Sequence, residues 1–311
     1  MLVNHEGAEC LPRALAALAA NTTTESVECV VVDSGSTDGS WEGVERVWPK
    51  ARALRFEENI GFCAGCNRGA ETAVGRLVAF VNFDGEVEPG WDRPLTTLLE
   101  DPAVSVATGL LLAPDGVTIE AAGLEIAPNT AAFARQALLP RWAAPSEPVD
   151  VAAATGALMM VRRSEFLALG GFYEPIFMYG EETDYCLRVP GRIVLHPASA
   201  IRHEHGHAAG PPRSPIRLYW GSRNRLVNSA RHLPAGGLAK SVLASAAFDA
   251  LTVLQQRNGA ALRAVTRGWW DGLRAMPRER RARSREERGR AARRLVSVRA
   301  AIAEQRRLGR L

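Results

Sequence analysis

The chain has no run of about 18 uncharged apolar residues, so no membrane-spanning helix is expected from it. The opening Met1 to Glu6 lacks the basic flank and apolar segment of a secretory signal, and no leader is expected there. Cysteine is scarce: Cys10, Cys29, Cys63, Cys66 and Cys186 are odd in number and scattered, which excludes a disulfide framework and fits a reducing cytoplasm. Cys63-Ala-Gly-Cys66 has no second pair, so a four-cysteine zinc site is excluded and small buried residues at a helix start are expected. G-x-G-x-x-G is missing after the first strand, which argues against a dinucleotide-dependent oxidoreductase. His203-Glu-His-Gly-His207 is not H-E-x-x-H, so a zinc hydrolase is not indicated; the histidines read as surface residues or as part of an oxygen-rich metal site.

What is present is an ordinary globular composition, 47% hydrophobic and 23% charged over 311 residues, enough for one large domain or two. The net charge of +4 hides an asymmetry. Residues 263–311 hold 16 Arg against 5 Asp and Glu, hence +11, which leaves −7 on residues 1–262. An acidic body with a basic arm points to a polyanionic partner, either lipid headgroups or nucleic acid.

The stretch Leu77 to Trp91 anchors the reading. Leu77 to Val81 is a buried strand that delivers Asn82 and Asp84 at its carboxyl end, where α/β sheets place ligands; an Asp-Gly turn is the plainer alternative. Upstream, Val3-Asn4-His5 ends a first strand, Leu11 to Ala20 is a helix, and Cys29 to Asp33 is a second strand ending in an acid. Ser34 to Ser40 is a turn before a helix near Trp41, Ala51 to Phe56 is a third strand, and Asn59 to Gly69 leads into a helix ending near Val74. Alternating strands and helices predict a parallel, Rossmann-like half-domain.

Beyond it, Val104 to Leu112 and Val117 to Ile126, parted by Pro114-Asp-Gly116, predict a hairpin. Asp150 to Val161 reads as one strand, followed by a helix from Ser164 to Leu169. Glu181, Glu182 and Asp184 crowd a helix start among Phe172, Phe177, Met178, Tyr179 and Tyr185, where partial burial raises carboxyl pKa values. From Pro215 onward the pattern is helical. Ser241, Ser245, Asp249 and Thr252 line one stripe of an otherwise apolar segment, Leu238 to Gln256, which predicts an amphipathic helix. Trp269-Trp270 and the Arg-rich Arg274 to Arg294 read as a membrane-surface segment or as a solvated helix with Glu–Arg pairs.

Five pieces in order resemble family 2 glycosyltransferases, in particular their bacterial rhamnosyltransferase-like members: Val30-Val-Val-Asp33-Ser-Gly-Ser-Thr-Asp38-Gly-Ser40, Glu58 to Gly69, Val81-Asn-Phe-Asp84-Gly-Glu-Val87, Gly170 to Arg188, and Arg202-His-Glu-His-Gly206. The resemblance covers roughly Val3 to Asn228 and implies a GT-A fold, a Rossmann-like mixed sheet, with a C-terminal helical extension. The implied division is a glycosyltransferase domain over 1–228, with a nucleotide-binding half (1–103) and an acceptor half (104–228), then an extension over 229–311. It implies inverting, metal-dependent transfer of a sugar from a nucleotide-diphosphate donor to a hydroxyl of a cell-surface glycan or lipid-linked precursor; dTDP-rhamnose is favoured, with UDP- and GDP-sugars open.

By the same resemblance Asp33 contacts the nucleobase, and Asp38, Asn67 and Asn82 belong to the nucleotide pocket. Asp84 and His203 hold Mg²⁺ or Mn²⁺, and Glu182 is the general base with Glu181 as the alternative. Glu181, Asp184, Arg223 and Asn224 are further candidates for the acceptor side or another role, Arg223-Asn224 matching a pair often seen in this subgroup. The expected setting is cytoplasmic, peripheral on the inner face of a bacterial membrane, contacting anionic lipid through 238–294. Three departures stand out. Asn82 and Glu182 occupy positions where Asp is usual, the segment from Arg188 to Gly191 is short, and Met1-Leu2-Val3 supplies only the end of the central strand, so a natural start upstream, or poor folding, is expected. The competing reading is a degenerate, non-catalytic nucleotide- or glycan-binding module whose basic tail grips nucleic acid.

Overall fold

The structure is a computed structural model and describes residues 1–24, 26–204, 213–292, 294–296 and 303. The first half follows the predicted alternation: β1 (Leu2–Asn4), α1 (Leu11–Asn21), β2 (Val30–Ser34), a 3₁₀ turn at Trp41–Gly43 running into α2 (Val44–Val47), β3 (Arg52–Phe56), α3 (Gly61–Thr72) and β4 (Leu77–Val81). β1, β2 and β3 pair in parallel, Asn4 opposite Asp33 and Ser34 opposite Phe56. β4 lies beside β1: the Met1 amino group donates to Ala79 O at 2.7 Å and Val81 N–H to Met1 O at 3.1 Å.

The second half completes a mixed sheet. Its elements are β5 (Gly85–Val87), α4 (Asp92–Leu98), β6 (Val104–Leu112), β7 (Ile119–Ala121), β8 (Leu124–Ile126), β9 (Ala132–Ala134), β10 (Val149–Asp150), β11 (Leu158–Arg162), α5 (Arg163–Ala168), α6 (Glu181–Arg188), β12 (Arg192–His203) and the helices α7 (Pro215–His232), α8 (Ala235–Gln256), α9 (Gly259–Arg281) and α10 (Arg285–Ala292). The strands order as β10-β12-β6-β11-β4, with β5 on β12 and β7 on β6, while β8 and β9 pair apart. β6 and β12 are parallel and β11 runs antiparallel to both its neighbours. Pleating splits the strand side chains between two apolar layers: Val30 and Val32 join one, Val31 the other. Phe80, Phe166, Phe172 and Tyr185 centre the first layer, with ring centroids 4.9–5.6 Å apart.

Three expectations need correction. Asp150 to Val161 is two strands, because the chain turns through Gly156-Ala157 between β10 on one edge and β11 in the sheet interior. Val117 to Ile126 is likewise divided into β7 and β8, with Gly123 at φ +76° between them. The third concerns α8, which at 22 residues is long and apolar enough to cross a membrane, although Lys240 and Asp249 interrupt any uncharged run. Its polar stripe does exist, but it points inward: Ser241 hydrogen-bonds Ser229 at 2.6 Å, and Asp249 takes Arg225 and the Trp269 indole.

The Arg-rich segment is not a free arm where it is described. Arg280 donates to Leu233 O at 2.8 Å, Arg288 to Arg280 O at 3.0 Å, and Arg294 to Val189 O and Gly191 O at 3.0 and 2.6 Å. Arg280 and Arg294 thus satisfy main-chain carbonyls of the body and Arg288 those at the end of α9, so the anion-binding reach expected of 238–294 shrinks toward its first part.

Candidate functional site

The ends of β4 and β12, the strand β7 and the start of α6 converge on one cavity of about 580 Å³. Asn82, Asp84, Glu120, Glu181, Glu182, His203 and Asn224 all line it. Asp84 Oδ1 and His203 Nε2 stand 3.1 Å apart, both nearly buried, and Asn82 Nδ2 lies 3.2 Å from the same ring nitrogen. The other nitrogen, Nδ1, faces Glu120 at 3.3 Å. Burial alone lowers the His203 pKa, but the hydrogen bonds to Asp84 and Glu120 overcome it and raise the value to about 9.

This donor set fits a divalent cation. Cis ligands at about 2.1 Å from a six-coordinate ion are separated by roughly 3.0 Å, close to the observed 3.1 Å. The carboxylate on Nδ1 is the usual device for aiming the opposite nitrogen at a metal. Among the described residues no cluster of three such protein ligands forms. His205 and His207, the rest of the histidine motif, lie outside the described residues.

The two glutamates open α6. Gly180 precedes them at φ +91°, and its N–H donates to Glu182 Oε2 at 3.2 Å. Thr183 Oγ1 donates to Glu182 Oε1 at 3.2 Å, whereas Glu181 Oε2 is buried without a hydrogen-bond partner. Burial and the adjacent Glu182 charge push Glu181 well above the usual carboxyl range; burial also pushes Glu182 up. Burial thus favours the protonated form of both carboxyls, more strongly for Glu181, while Glu182 keeps hydrogen-bond donors at the helix N-terminus.

Arg223 and Asn224 support this segment. Arg223 donates to Pro175 O at 2.9 Å, and Asn224 Nδ2 faces the carbonyls of Ile176, Met178 and Tyr179 at 2.9–3.0 Å. One turn on, Asn228 donates to Gly180 O at 2.9 Å. Phe177 and Tyr179 in this segment sit at φ +65°, a conformation that L side chains adopt only when held.

Other expected site residues face elsewhere. Asp33 is fully buried beneath the β2 loop, accepting from Asn4 Nδ2 at 2.7 Å and Ser36 N–H at 3.1 Å. Asp38 is exposed and ties Ala8 N–H and Ser40 N–H into the same loop. Asn67 does not line this cavity: its amide bonds both the N–H and the carbonyl of Phe172, at 2.8 and 2.9 Å, and so clamps α3 to the Gly170-Gly171 turn. Asp184 faces away from the cavity, accepting from Arg188, Arg231 and His232, each at 2.8 Å. The i, i+3 spacing from Glu181 to Asp184 gave no sign that α7 would claim this carboxylate. Glu120 was missed; its only signal is its place between buried Ile119 and Ala121, where alternation turns it to the opposite side. All five cysteines are buried and free, and burial raises the Cys63 and Cys66 thiols, as small core residues require.

The family model "Glycosyl transferase family 2" matches residues 2–163. The O-antigen biosynthesis protein RfbC of Myxococcus xanthus is 26% identical over 220 residues, 65% of this chain but 17% of its own length. The N-acetylglucosaminyl-diphospho-decaprenol L-rhamnosyltransferase of Mycobacterium tuberculosis is 28% identical over 232 residues, 64% of this chain and 73% of its own. Among solved structures, GalNAc-T7 with UDP, GalNAc and Mn²⁺ matches with TM-score 0.59 at 18% identity, over 75% of this chain and 47% of that one. Residues 1–349 of S. aureus TarS with UDP match with TM-score 0.54 at 16% identity, over 99% and 90%. These likenesses give the GT-A fold.

Proposed function

The chain belongs to glycosyl transferase family 2, and from that premise we propose that it transfers a sugar, with inversion, from a nucleotide-diphosphate donor to a hydroxyl of a cell-surface glycan or lipid-linked precursor. The observation that carries this is the meeting of Asp84, His203, Glu181 and Glu182 around one cavity. Residues 1–103 supply the donor side, 104–228 the acceptor side and 229–311 the extension. Asp84 and His203 would hold Mg²⁺ or Mn²⁺; when bound, such an ion neutralises charge on the departing diphosphate.

The acceptor hydroxyl is a weak nucleophile and needs a base as it attacks. Glu182 takes its proton while the acceptor oxygen bonds to the anomeric carbon, and the bond to the diphosphate breaks with its electron pair leaving on the diphosphate. Glu181 keeps its proton and steadies Glu182. Arg223, Asn224 and Asn228 act as positioning residues by holding the main chain ahead of α6. Asn82 sits beside Asp84 at the donor end, and Asp33 and Asp38 shape the loop behind it.

A rhamnose donor, with dTDP favoured, draws support from the mycobacterial relative, a rhamnosyltransferase. Attachment at an anionic membrane, on the cytoplasmic side, belongs to the same reading. The nucleic-acid-binding alternative loses support, because Arg280, Arg288 and Arg294 are engaged with the protein's own carbonyls. The test is transfer from a panel of dTDP-, UDP- and GDP-sugars with Mn²⁺ or Mg²⁺, reading the product's anomeric configuration by NMR. A retained configuration, or no turnover of any donor by a folded protein, would overturn the proposal.

A further inference from the structure

The outer surface of α8 is inverted relative to a helix facing water. Its buried positions are Ser241, Ser245, Asp249 and Thr252, and from Ser241 to Leu254 every exposed residue is Leu, Phe or Ala. Leu243 and Leu254 are 72% and 69% exposed, near opposite ends of that stretch. Monomeric proteins rarely leave so continuous an apolar face in water. The surface continues onto α9, where Leu262, Trp270 and Leu273 are exposed beside Arg263, Arg267 and Arg274. The Arg274 guanidinium lies over the Trp270 ring at 4.4 Å. Among the described residues no ion pair occupies Arg257, Arg263, Arg267 or Arg274.

An apolar strip edged by unpaired cations and carrying an outward tryptophan matches the interfacial zone of an anionic leaflet. A second copy of the chain fits less well, since a two-fold contact through this patch would set the arginine edge against itself. Nor does the helix suit a transbilayer path: the buried stripe is tied to α7 at Ser241 through Ser229, and to α7 and α9 at Asp249 through Arg225 and Trp269. Only the outer half of α8 is free to enter lipid, so the helix lies in the plane of the surface. Phe248 and Arg225 also line the cavity that holds Glu182 and His203, so this face runs to the mouth of the site.

We propose that α8 and the first half of α9 seat the protein on an anionic lipid leaflet, with the cavity mouth at Phe248 against the lipid so that a membrane-held acceptor enters from the leaflet. The acceptor clause rests on the proposed transferase activity; the seating does not.

The experiment is co-sedimentation of the full chain with vesicles of phosphatidylglycerol and phosphatidylcholine, compared with pure phosphatidylcholine. The expected result is binding to the anionic vesicles, at least tenfold weaker in the L243E/L254E double variant and several-fold weaker in R263E/R267E, with melting temperatures unchanged. Both leucines lie outside the cavity lining, so the thermal response to Mn²⁺ and a sugar nucleotide should match wild type. Equal vesicle binding by wild type and L243E/L254E would overturn the proposal, whatever the donor response. So would a wild-type dimer, dissolved by L243E/L254E, that never binds vesicles. Vesicle binding as expected with no response to any sugar nucleotide would instead count against the transferase reading alone.

Discussion

Replacing Asp184 by Asn separates a structural carboxylate from a catalytic one. Asp184 is fully buried and accepts from Arg188, Arg231 and His232; Arg231 also pairs with Glu279 of α9 at 2.9 Å. With His232 neutral, the buried Asp184 and Glu279 balance the buried Arg188 and Arg231, Arg278 on Glu279 being exposed, and Asp184→Asn leaves one buried positive charge uncompensated. It also turns an amide N–H₂ toward donors that have nothing to give it. Burial alone would raise the Asp184 pKa, but Arg188, His232 and Arg231 hold it well below the usual range, so the native state depends on the charged form. Breaking a buried pair of this kind costs about 3–5 kcal/mol. At about 2–4 °C per kcal/mol for a domain of this size, the melting temperature should fall by roughly 6–20 °C in differential scanning fluorimetry. Turnover of the surviving folded enzyme, measured well below that transition, should stay within about threefold of wild type. A stability loss under about 1 kcal/mol together with a hundredfold drop in turnover would refute the reasoning and return Asp184 to the acceptor site.

Glu182→Gln should cut turnover by about 10²–10⁴-fold with little effect on donor affinity, and Glu181→Gln by clearly less; the reverse order in a steady-state assay would exchange their roles. Asn67→Ala should destabilise the protein by about 1–3 kcal/mol through the orphaned Phe172 main chain, yet leave donor binding by calorimetry within twofold. Acidification should remove one buried contribution to folding, that of His232. Burial holds the native His232 pKa below its ordinary value, so its contribution is complete above about pH 6.5 and is lost as pH falls toward the native pKa. Urea titrations at pH 7.5 and 5.5 should show wild type losing stability relative to His232→Gln, by up to about 1.4 kcal/mol per pH unit; the raised His203 and Glu181 pKa values act in the opposite direction in both proteins and cancel in the comparison.

Much of this was legible because strand order follows local pattern. The valine runs of β2 and β4 and the Pro114-Asp-Gly116 turn placed the sheet and its hairpin without tertiary information. The pairing of Asp84 with His203 was reachable only through the family resemblance, because 118 intervening residues separate two loop ends that β5 and β12 bring side by side. Asn67 and Asp184 lie off the cavity for a shared reason. A buried amide or carboxylate near a site looks the same in sequence whether it meets substrate or main chain, and the partners come from α7 and from the Gly170-Gly171 turn. The polar stripe of α8 could be counted from its spacing, but periodicity does not say which side faces the body. Asp249 turned inward because Arg225 and Trp269 wait there.

The most direct measurement is calorimetric titration of Mn²⁺ into the protein with a nucleoside diphosphate present, for wild type, Asp84→Asn and His203→Ala. The account predicts one Mn²⁺ per chain in wild type, bound more tightly with the nucleotide than without it, and at least tenfold weaker in both variants. Equal Mn²⁺ affinity in wild type and Asp84→Asn would contradict it.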